Sequence, residues 1–200
     1  MRTPQLNSKA KEKLMDAAEE LMAVKGFAAT SVEEICRKAK LTKGSFFHYF
    51  QCKEDLGKEL LKRFSLACQY KMKEMVLKET DPLERVYGYL EFAVSMAEQF
   101  SSGKGCLVGN FAQQMSDTHP QIRLLCAQAF DEWIKIFKAD LDSAKKTCAS
   151  RIKLDTQGLA EYFVAVLEGS QILAKTRQDP VVVRKNMEHF KRYLKGVFGR

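Results

Sequence analysis

The 200-residue sequence lacks any apolar run close to the roughly 20 residues that a helix needs to cross a bilayer. Its first ten residues, Met1 to Ala10, are polar and do not form the apolar segment of a secretory signal peptide. We therefore expect a cytoplasmic protein with no membrane partner. With 46% hydrophobic residues, the chain can form one or two domains with a genuine core.

Motifs for metal, disulfide and phosphate-loop chemistry are also missing. The six cysteines, at positions 36, 52, 68, 106, 126 and 148, include no CxxC pair and have no histidine nearby at ligand spacing. We therefore expect no metal and no cofactor, and a disulfide framework is unexpected in a cytosolic chain. The segment 103–105, Gly-Lys-Gly, lacks the spacing of a Walker phosphate loop. Only four prolines interrupt the chain, which favours a helical fold.

Positive charge is present but unevenly placed. The net charge of +8 and the isoelectric point near 9.1 favour an anionic partner. Residues 1–60, however, contain eleven Lys and Arg against nine Asp and Glu. If this part binds DNA, the placement of single lysines such as Lys43 and Lys53 must matter more than bulk charge.

Residues 30–56 show the pattern of two short helices joined by a tight turn. Thr30 and Ser31 are each followed three residues later by a glutamate, so a capping box can open the first helix in either register. Its apolar stripe ends before Lys40. Thr42 can then cap a second helix, which is too short to be stable alone. These are the parts of a helix-turn-helix.

The second short helix carries groups suited to a phosphate-lined groove. Its first turn offers hydroxyl and amide donors, Lys43 is a cation, and Gly44 lets the backbone approach a surface. Phe46 or Phe47, together with Phe50, should anchor the helix to a core. The residues predicted to contact DNA are Ser31, Thr42, Lys43, Gly44, Ser45, Phe47, His48, Tyr49 and Lys53.

Residues 8–56 resemble the N-terminal DNA-binding region of the TetR family of bacterial repressors. The resemblance rests on the order of four segments: Lys-Gly-Phe at 25–27, Ala-Thr-Ser at 29–31, Leu-Thr-Lys-Gly-Ser at 41–45, and Lys-Glu-Asp-Leu at 53–56. It implies an all-α fold, with a three-helix helix-turn-helix domain at 1–52 and a larger helical ligand-sensing and dimerisation domain at 53–200.

Two positions depart from the pattern of the family. Position 47 is commonly a tyrosine whose hydroxyl meets a phosphate, and Phe47 cannot make that bond. Cys52 stands where a serine or asparagine usually caps the next helix, and a thiol is a weak cap. Both changes should weaken backbone contacts modestly without removing DNA binding.

The remaining chain is predicted to be helical. The first helix should run from Asn7 or Ser8 to Lys25, burying Leu14, Ala17 or Ala18, Leu21 and Val24. A long helix should begin near Lys53 with apolar residues to Val76, and would reach Glu79 if unbroken; further helices should begin near residues 82, 106, 120, 156 and 181.

The last two predicted helices carry apolar residues at alternating steps of four and three. Two such seams could pair with a second copy in a four-helix bundle, with Gly169 and Ser170 allowing close approach. The alternative is packing within one chain. The predicted dimer residues are Phe163, Val166, Ser170, Leu173, Val183, Met187, Phe190 and Leu194.

The resemblance to the TetR family also implies a cavity that binds a small-molecule inducer. Each aromatic or methionine of the middle helices is individually more typical of core than of a pocket. The candidate lining residues are Phe92, Met96, Phe111, Met115, Trp133, Phe137 and Phe163.

Cys106 differs from the other cysteines. Lys104 lies two residues before it, and it falls at a predicted helix N-terminus, where the helix dipole stabilises a thiolate. A reachable, ionised thiol and a buried, inert one both remain open. Residues 105–117 and 169–175 resemble the branch that includes the N-ethylmaleimide repressor. That resemblance implies that an electrophile or oxidant modifies Cys106, with Lys175 as its charge partner, and loosens DNA binding.

The sequence thus predicts a homodimeric repressor that binds double-stranded operator DNA and is released by a small-molecule inducer or electrophile. One alternative is a helical thiol enzyme with Cys106 as nucleophile and His119 or His189 as base, but no third orienting group or oxyanion motif accompanies them. Another is a helical dimer that acts through protein contacts, which Phe47 and the weakly charged N-terminal segment leave open.

Overall fold

The computed structural model describes residues 4–99, 105–148 and 153–199. All regular structure in these ranges is helical, which confirms the all-α fold. The helices are α1 (Pro4–Lys25), α2 (Val32–Ala39), α3 (Lys43–Tyr49), α4 (Lys53–Met75), α5 (Pro82–Gln99), α6 (Leu107–Met115), α7 (Pro120–Cys148), α8 (Thr156–Arg177) and α9 (Val181–Phe198).

A capping box sets the start of α2. The Ser31 hydroxyl accepts a hydrogen bond from the Glu34 amide (3.2 Å), and the Ser31 amide donates to the Glu34 carboxylate (2.9 Å). Thr30 is fully buried, and its hydroxyl donates to the Gly26 carbonyl (2.7 Å). Of the two registers open in the sequence, the chain therefore uses Ser31, because Thr30 turns back to the end of α1.

Aspartates cap two later helices. Asp81 accepts hydrogen bonds from the amides of Leu83 and Glu84, at 2.8 and 3.3 Å. Asp155 accepts one from the amide of Gly158 (3.1 Å). Free first-turn amides of α5 and α8 are satisfied in this way.

The first helix differs from its prediction in two respects. It begins at Pro4 rather than at Asn7 or Ser8, and Val24, predicted to be buried, is 77% exposed. The buried stripe contains the predicted Leu14 and Ala18 and continues to Met22. Val24 lies two residues from Met22, about 200° around a helix of 3.6 residues per turn, and so faces outward.

Residues 1–65 and 107–126 form one compact unit, so α6 and the start of α7 pack with the N-terminal helices. This unit does not follow the predicted functional division at residue 52, which remains a prediction. Its largest fully buried side chains are Leu14, Ile35, Phe46, Leu56, Leu60, Phe111, Met115 and Ile122.

Ion pairs join α4 to α1 inside this unit. The Arg63 guanidinium contacts the carboxylates of Glu12 (3.1 Å), Asp16 (2.7 Å) and Glu19. Lys11 and Glu59 add a further pair at 2.8 Å. Each exposed pair contributes only about 0–1 kcal/mol, so the network fixes the register of the two helices more than it stabilises them.

Residues 66–106 and 127–200 form the second compact unit, whose core contains a row of aromatic rings. Phe137 lies between Tyr89 (5.5 Å between ring centroids, edge-on) and Phe163 (4.3 Å, stacked), and Phe163 continues to Phe190 (5.8 Å). Beside this row, the buried Asp140 carboxylate accepts hydrogen bonds from Arg85 (2.6 Å) and from the Tyr89 hydroxyl (2.8 Å).

The two predicted dimer seams pack within one chain. Phe163, Val183, Met187, Phe190 and Leu194 all lie in the buried core of the second unit. Ser170 is also buried, and its hydroxyl accepts a hydrogen bond from the Asn186 side chain of α9 (2.9 Å). Val166 is partly buried, and Leu173 is the one exposed member of the set. The 4-3 spacing marks the α8–α9 contact, so a second copy needs another face of these helices.

The substitution Gly26→Ala should destabilise the protein by roughly 1–2 kcal/mol, the cost of a left-handed conformation for an L-residue. Gly26 has φ +84°, and an added Cβ would lie 2.7 Å from Oε1 of Gln114. Denaturant unfolding measures the change. The control is Gly44→Ala, where the nearest atom is Thr42 Oγ1 at 3.7 Å and the helical backbone should tolerate alanine. Equal effects at the two glycines would contradict this assignment.

Candidate DNA-binding surface and sensor residues

The turn between α2 and α3 is closed by backbone hydrogen bonds. Lys40 adopts the left-handed conformation (φ 56°), which ends α2 where the sequence predicted. The Leu41 amide then donates to the Cys36 carbonyl (2.9 Å). This closure satisfies the free carbonyls of α2 and reverses the chain within two residues, so that Thr42 can start α3.

Buried phenylalanines hold the seven-residue helix α3. Thr42 caps it by accepting a hydrogen bond from the Ser45 amide (3.1 Å). Phe46 is fully buried and Phe50 nearly so, with ring centroids 5.4 Å apart. Phe47 is 57% exposed. Of the two anchors considered in the sequence, the helix therefore uses Phe46, and Phe47 lies on the open side.

The open side of α3 carries most of the predicted DNA-contacting residues. Lys43 is exposed and forms an ion pair with Glu33 of α2 (3.2 Å). His48 is exposed, and its ring packs edge-on against Tyr49 (4.7 Å between centroids). Gly44 presents its bare backbone. The exposed members of the predicted set on α3 and its cap are Thr42, Lys43, Gly44, Phe47 and His48, and the partly exposed members are Ser45 and Tyr49.

Two other predicted DNA contacts are engaged with the protein itself. The Ser31 hydroxyl takes part in the capping box and also donates to the Glu34 carboxylate (2.9 Å). The Lys53 ammonium donates to the carbonyls of Phe27 and Thr30, both at 2.8 Å, and lies 4.3 Å from the centre of the Phe27 ring. Burial lowers the pKa of Lys53 from its ordinary value. A phosphate at Lys53 would have to replace these bonds, so its contact with DNA remains a prediction.

Phe27 and Gln114 are important residues that the sequence did not single out. The Phe27 amide donates to Oε1 of Gln114 on α6 (2.9 Å). The Phe27 ring meets Phe111 (6.0 Å) and His119 (5.4 Å) edge-on. The loop between α1 and α2 is thus held by α4 through Lys53 and by α6 through Gln114. A lone glutamine in a helix gives no signal of such a role.

Cys106 is buried, with 7% of its surface exposed, and its side chain is hydrogen-bonded to Glu168 of α8. One Glu168 oxygen, Oε1, is buried and has no hydrogen-bond partner. Burial raises the pKa of Glu168 to about 7, and the hydrogen bond with Cys106 acts in the opposite direction. The contact identified for Cys106 is therefore a carboxyl group, and the sequence did not indicate it.

Of the other groups predicted to act on Cys106, Lys175 stays a predicted charge partner, and the two histidines have contacts of their own. Lys175 lies seven residues beyond Glu168 on α8, about 10 Å along the helix axis at 1.5 Å per residue. Lys104 falls outside the described residues. His119 contacts Thr118 (2.8 Å) and Phe27, and His189 contacts Arg192 (2.8 Å). These contacts give no support to a cysteine–histidine pair.

The residues predicted to line a ligand cavity are divided between the two compact units. Phe111 and Met115 are buried in the first unit, where Phe111 meets Phe27. Phe137 and Phe163 stack directly on each other in the core of the second unit, which leaves no space between their rings. Phe92, Met96 and Trp133 are partly exposed members of the second unit. The seven residues predicted to line a ligand cavity therefore do not all line one cavity within either unit.

Neither a metal cluster nor a membrane span is found where the chain is described. No group of three or more His, Cys, Asp or Glu side chains in these ranges could hold a metal ion. No helix there is long and apolar enough to cross a membrane.

Two family models match the sequence. The model for bacterial regulatory proteins of the tetR family matches residues 14–60, which run from the middle of α1 through α2 and α3 to the start of α4. The model for the tetracyclin repressor-like C-terminal domain matches residues 82–190, more than half of the chain. The first match contains the helix-turn-helix, and the second contains Cys106 and Glu168.

Individual proteins are similar over nearly the whole chain. The HTH-type transcriptional repressor DhaR of Mycobacterium sp. (strain GP1) is 24% identical over 189 residues, which cover 94% of this chain and 90% of DhaR. The HTH-type transcriptional repressor NemR of Escherichia coli (strain K12) is 22% identical over 185 residues, 92% of this chain and 93% of NemR. A crystal structure of a regulatory protein TetR from Rhodobacter sphaeroides matches with a TM-score of 0.82 and 27% identity, covering 92% of this chain and 97% of that chain.

The partly buried Glu168, whose Oε1 atom is buried without a hydrogen-bond partner, should make stability depend on pH. Its folded-state pKa of about 7 lies above the ordinary value of 4.5, so between these pH values the folded chain holds a proton that the unfolded chain has lost. Stability conferred by this group should fall as pH rises from about 4.5 to 7, by roughly 3 kcal/mol at most. Glu168→Gln should remove this loss. Urea unfolding at pH 5 and pH 8 measures the change in the free energy of unfolding for each protein.

The control for this measurement is Glu161→Gln, the same change at an exposed position of α8. It should leave the dependence on pH as in the wild type. A Glu168→Gln variant that loses as much stability between pH 5 and pH 8 as the wild type would contradict the assignment.

Proposed function

The chain belongs to the tetR family of bacterial regulatory proteins, and on that premise we propose that it is a homodimeric transcriptional repressor that binds operator DNA in the cytoplasm. Each copy places α3 in a major groove, and a small molecule or a modification at Cys106 releases the DNA. The names of DhaR and NemR, both transcriptional repressors, support repression rather than activation.

The observation that carries this proposal is the placement of groups around α3. A helix of seven residues is fixed by Phe46, and it exposes a hydroxyl, an ammonium group and a bare glycine on one side. The free amides of its first turn and Lys43 suit phosphate oxygens, and the glycine permits close approach of the backbone. Such short helices read base edges in the major groove.

The proposed dimer uses the face of α8 and α9 that points away from the chain's own core. Its exposed apolar side chains are Tyr162, Ile172 and Leu173 on α8 and Val181 and Tyr193 on α9. Gly169 and Gly196 have no atom within 4 Å of an added Cβ, so each leaves room for a neighbouring helix. A four-helix contact between two copies would cover this face and give the paired α3 helices that half-sites require.

The two alternative functions receive less support. The relatives are transcriptional regulators, and Cys106 has a carboxyl neighbour rather than an identified histidine base. Action through protein contacts alone would leave the exposed polar face of α3 without a use. A wild-type dimer that shifts no DNA, including the DNA upstream of its own coding region, would favour that second alternative.

The substitution Lys43→Ala should weaken operator binding without changing dimerisation. Lys43 is exposed. Loss of one phosphate contact should make the fall of the logarithm of the DNA-association constant with the logarithm of salt concentration less steep, by about 0.9 in slope. Gel shifts at several salt concentrations measure affinity and slope, and sedimentation measures the dimer. The control is Lys135→Ala, the same change at an exposed position of α7. Unchanged affinity and slope in Lys43→Ala would contradict the placement of α3 on DNA.

The substitution Ile172→Glu should convert the protein to a monomer, because it places a charge within the proposed apolar dimer face. Sedimentation at fixed protein concentration measures the oligomeric state. Leu66→Glu is the matched control, since Leu66 is an exposed aliphatic residue of α4 outside this face. A dimer in Ile172→Glu, or a monomer in both variants, would show that the proposed face is incorrect.

A further inference from the structure

The ammonium group of Lys53 lies against three backbone carbonyls of the turn between α1 and α2. It donates hydrogen bonds to the carbonyls of Phe27 and Thr30, both at 2.8 Å, and to that of Ala28 at 3.4 Å. The Phe27 ring covers the same cation at 4.3 Å. An ammonium group has three N–H donors, so this one turn provides an acceptor for each of them.

The hydrogen bond to Thr30 acts on the start of α2. The Thr30 carbonyl and the Ser31 amide belong to one planar peptide group, so a bond at one end fixes the orientation of the other. The Ser31 amide donates to the Glu34 carboxylate in the capping box (2.9 Å). Lys53 therefore holds the peptide group from which α2 begins.

Lys53 also closes the chain around α3. It is the first residue of α4, so its bond to Thr30 joins the two ends of residues 31–52, which contain α2 and α3. Inside this segment, the Leu41 amide donates to the Cys36 carbonyl (2.9 Å) and ties the start of α3 to α2. The orientation of α3 relative to α2 and α4 should therefore depend on the closure by Lys53.

We propose that Lys53 is a positioning residue for DNA binding, which fixes α2 and α3 through the carbonyls of the α1–α2 turn and makes no phosphate contact. This inference deepens the proposed function and rests on it. It replaces the phosphate contact that the sequence predicts for Lys53. Such a contact would require the ammonium group to leave three carbonyls and an aromatic ring, and the carbonyls would lose their donor.

Arginine should not be able to replace lysine in this arrangement. An ammonium group directs its donors outward from a single nitrogen, which suits three carbonyls that converge on one point. A guanidinium group is larger and planar, and its donors form a fork that suits a phosphate. Lys53→Arg should therefore lose the positioning role, whereas it would preserve a phosphate contact.

The test compares the wild type with Lys53→Met, Lys53→Arg and the control Lys62→Met. Methionine keeps an apolar stem and removes the ammonium group, and Lys62 is an exposed lysine of the same helix. Gel shifts on the DNA upstream of the coding region, at several salt concentrations, measure the affinity and its dependence on salt. Hydrogen exchange of the amides of residues 27–34 measures the order of the turn in the free protein. All measurements are made well below the unfolding midpoint of each variant.

Both Lys53 variants should bind DNA about tenfold more weakly, which corresponds to roughly one charge-assisted hydrogen bond. Their dependence on salt should match that of the wild type, because loss of a phosphate contact would change the slope by about 0.9 and no such contact is lost. The amides of Thr30 and Ser31 should exchange about tenfold faster in both variants. Lys62→Met should match the wild type in all three measurements.

Three results in the variants would overturn the proposal. A slope less steep by about 0.9 in Lys53→Met, with wild-type affinity in Lys53→Arg, would identify Lys53 as a phosphate contact. Wild-type affinity in both variants would mean that the closure supports the fold without positioning α3. Unchanged hydrogen exchange in Lys53→Met would show that the carbonyl contacts do not hold the turn.

Failure of the proposed function has a different signature, because it is seen before any substitution is made. A wild-type protein that shifts no DNA would overturn the proposed function, and the positioning role of Lys53 with it. A wild type that binds DNA beside variants that behave as a phosphate contact predicts would overturn the role of Lys53 alone.

Discussion

The burial of Phe46 is the constraint on which the proposed DNA-binding surface depends. A helix of seven residues has too few internal hydrogen bonds to be stable by itself, so α3 exists only where its neighbours hold it. Burying a phenylalanine side chain contributes about 1.5–3 kcal/mol, more than the cap at Thr42 supplies. Because the anchor occupies one side of α3, the opposite side must carry the solvent-exposed groups, and that side contains Thr42, Lys43 and Gly44.

Local chemistry made the N-terminal elements predictable. The capping box at Ser31, the left-handed end at Lys40 and the cap at Thr42 each depend on residues within a few positions, so their spacing is visible in the sequence. The choice between Thr30 and Ser31 was not visible, because it depends on the contact of Thr30 with the end of α1. The choice between Phe46 and Phe47 as the anchor of α3 was not visible either, because it depends on which side of the helix packs against the core.

Long-range packing explains what the sequence did not reveal. The 4-3 spacing in α8 and α9 showed that each helix has an apolar seam, but periodicity does not specify whether the partner is the same chain or another one. Lys53 was predicted to contact a DNA phosphate from the first turn of α4, yet its ammonium binds backbone carbonyls of a loop 23–26 residues earlier. Glu168 resembles any exposed helical glutamate until the fold places it beside Cys106.

The ion pair between Lys43 and Glu33 gives the unbound protein an internal counterion at its reading surface. In the proposed complex, a DNA phosphate at Lys43 would displace the Glu33 carboxylate rather than only water and salt. The electrostatic gain at this lysine is thus a difference between two anions, and the displaced carboxylate then faces a polyanion. If α3 lies on DNA as proposed, this exchange of partners reduces the net electrostatic gain at Lys43 for any duplex, whatever its base sequence.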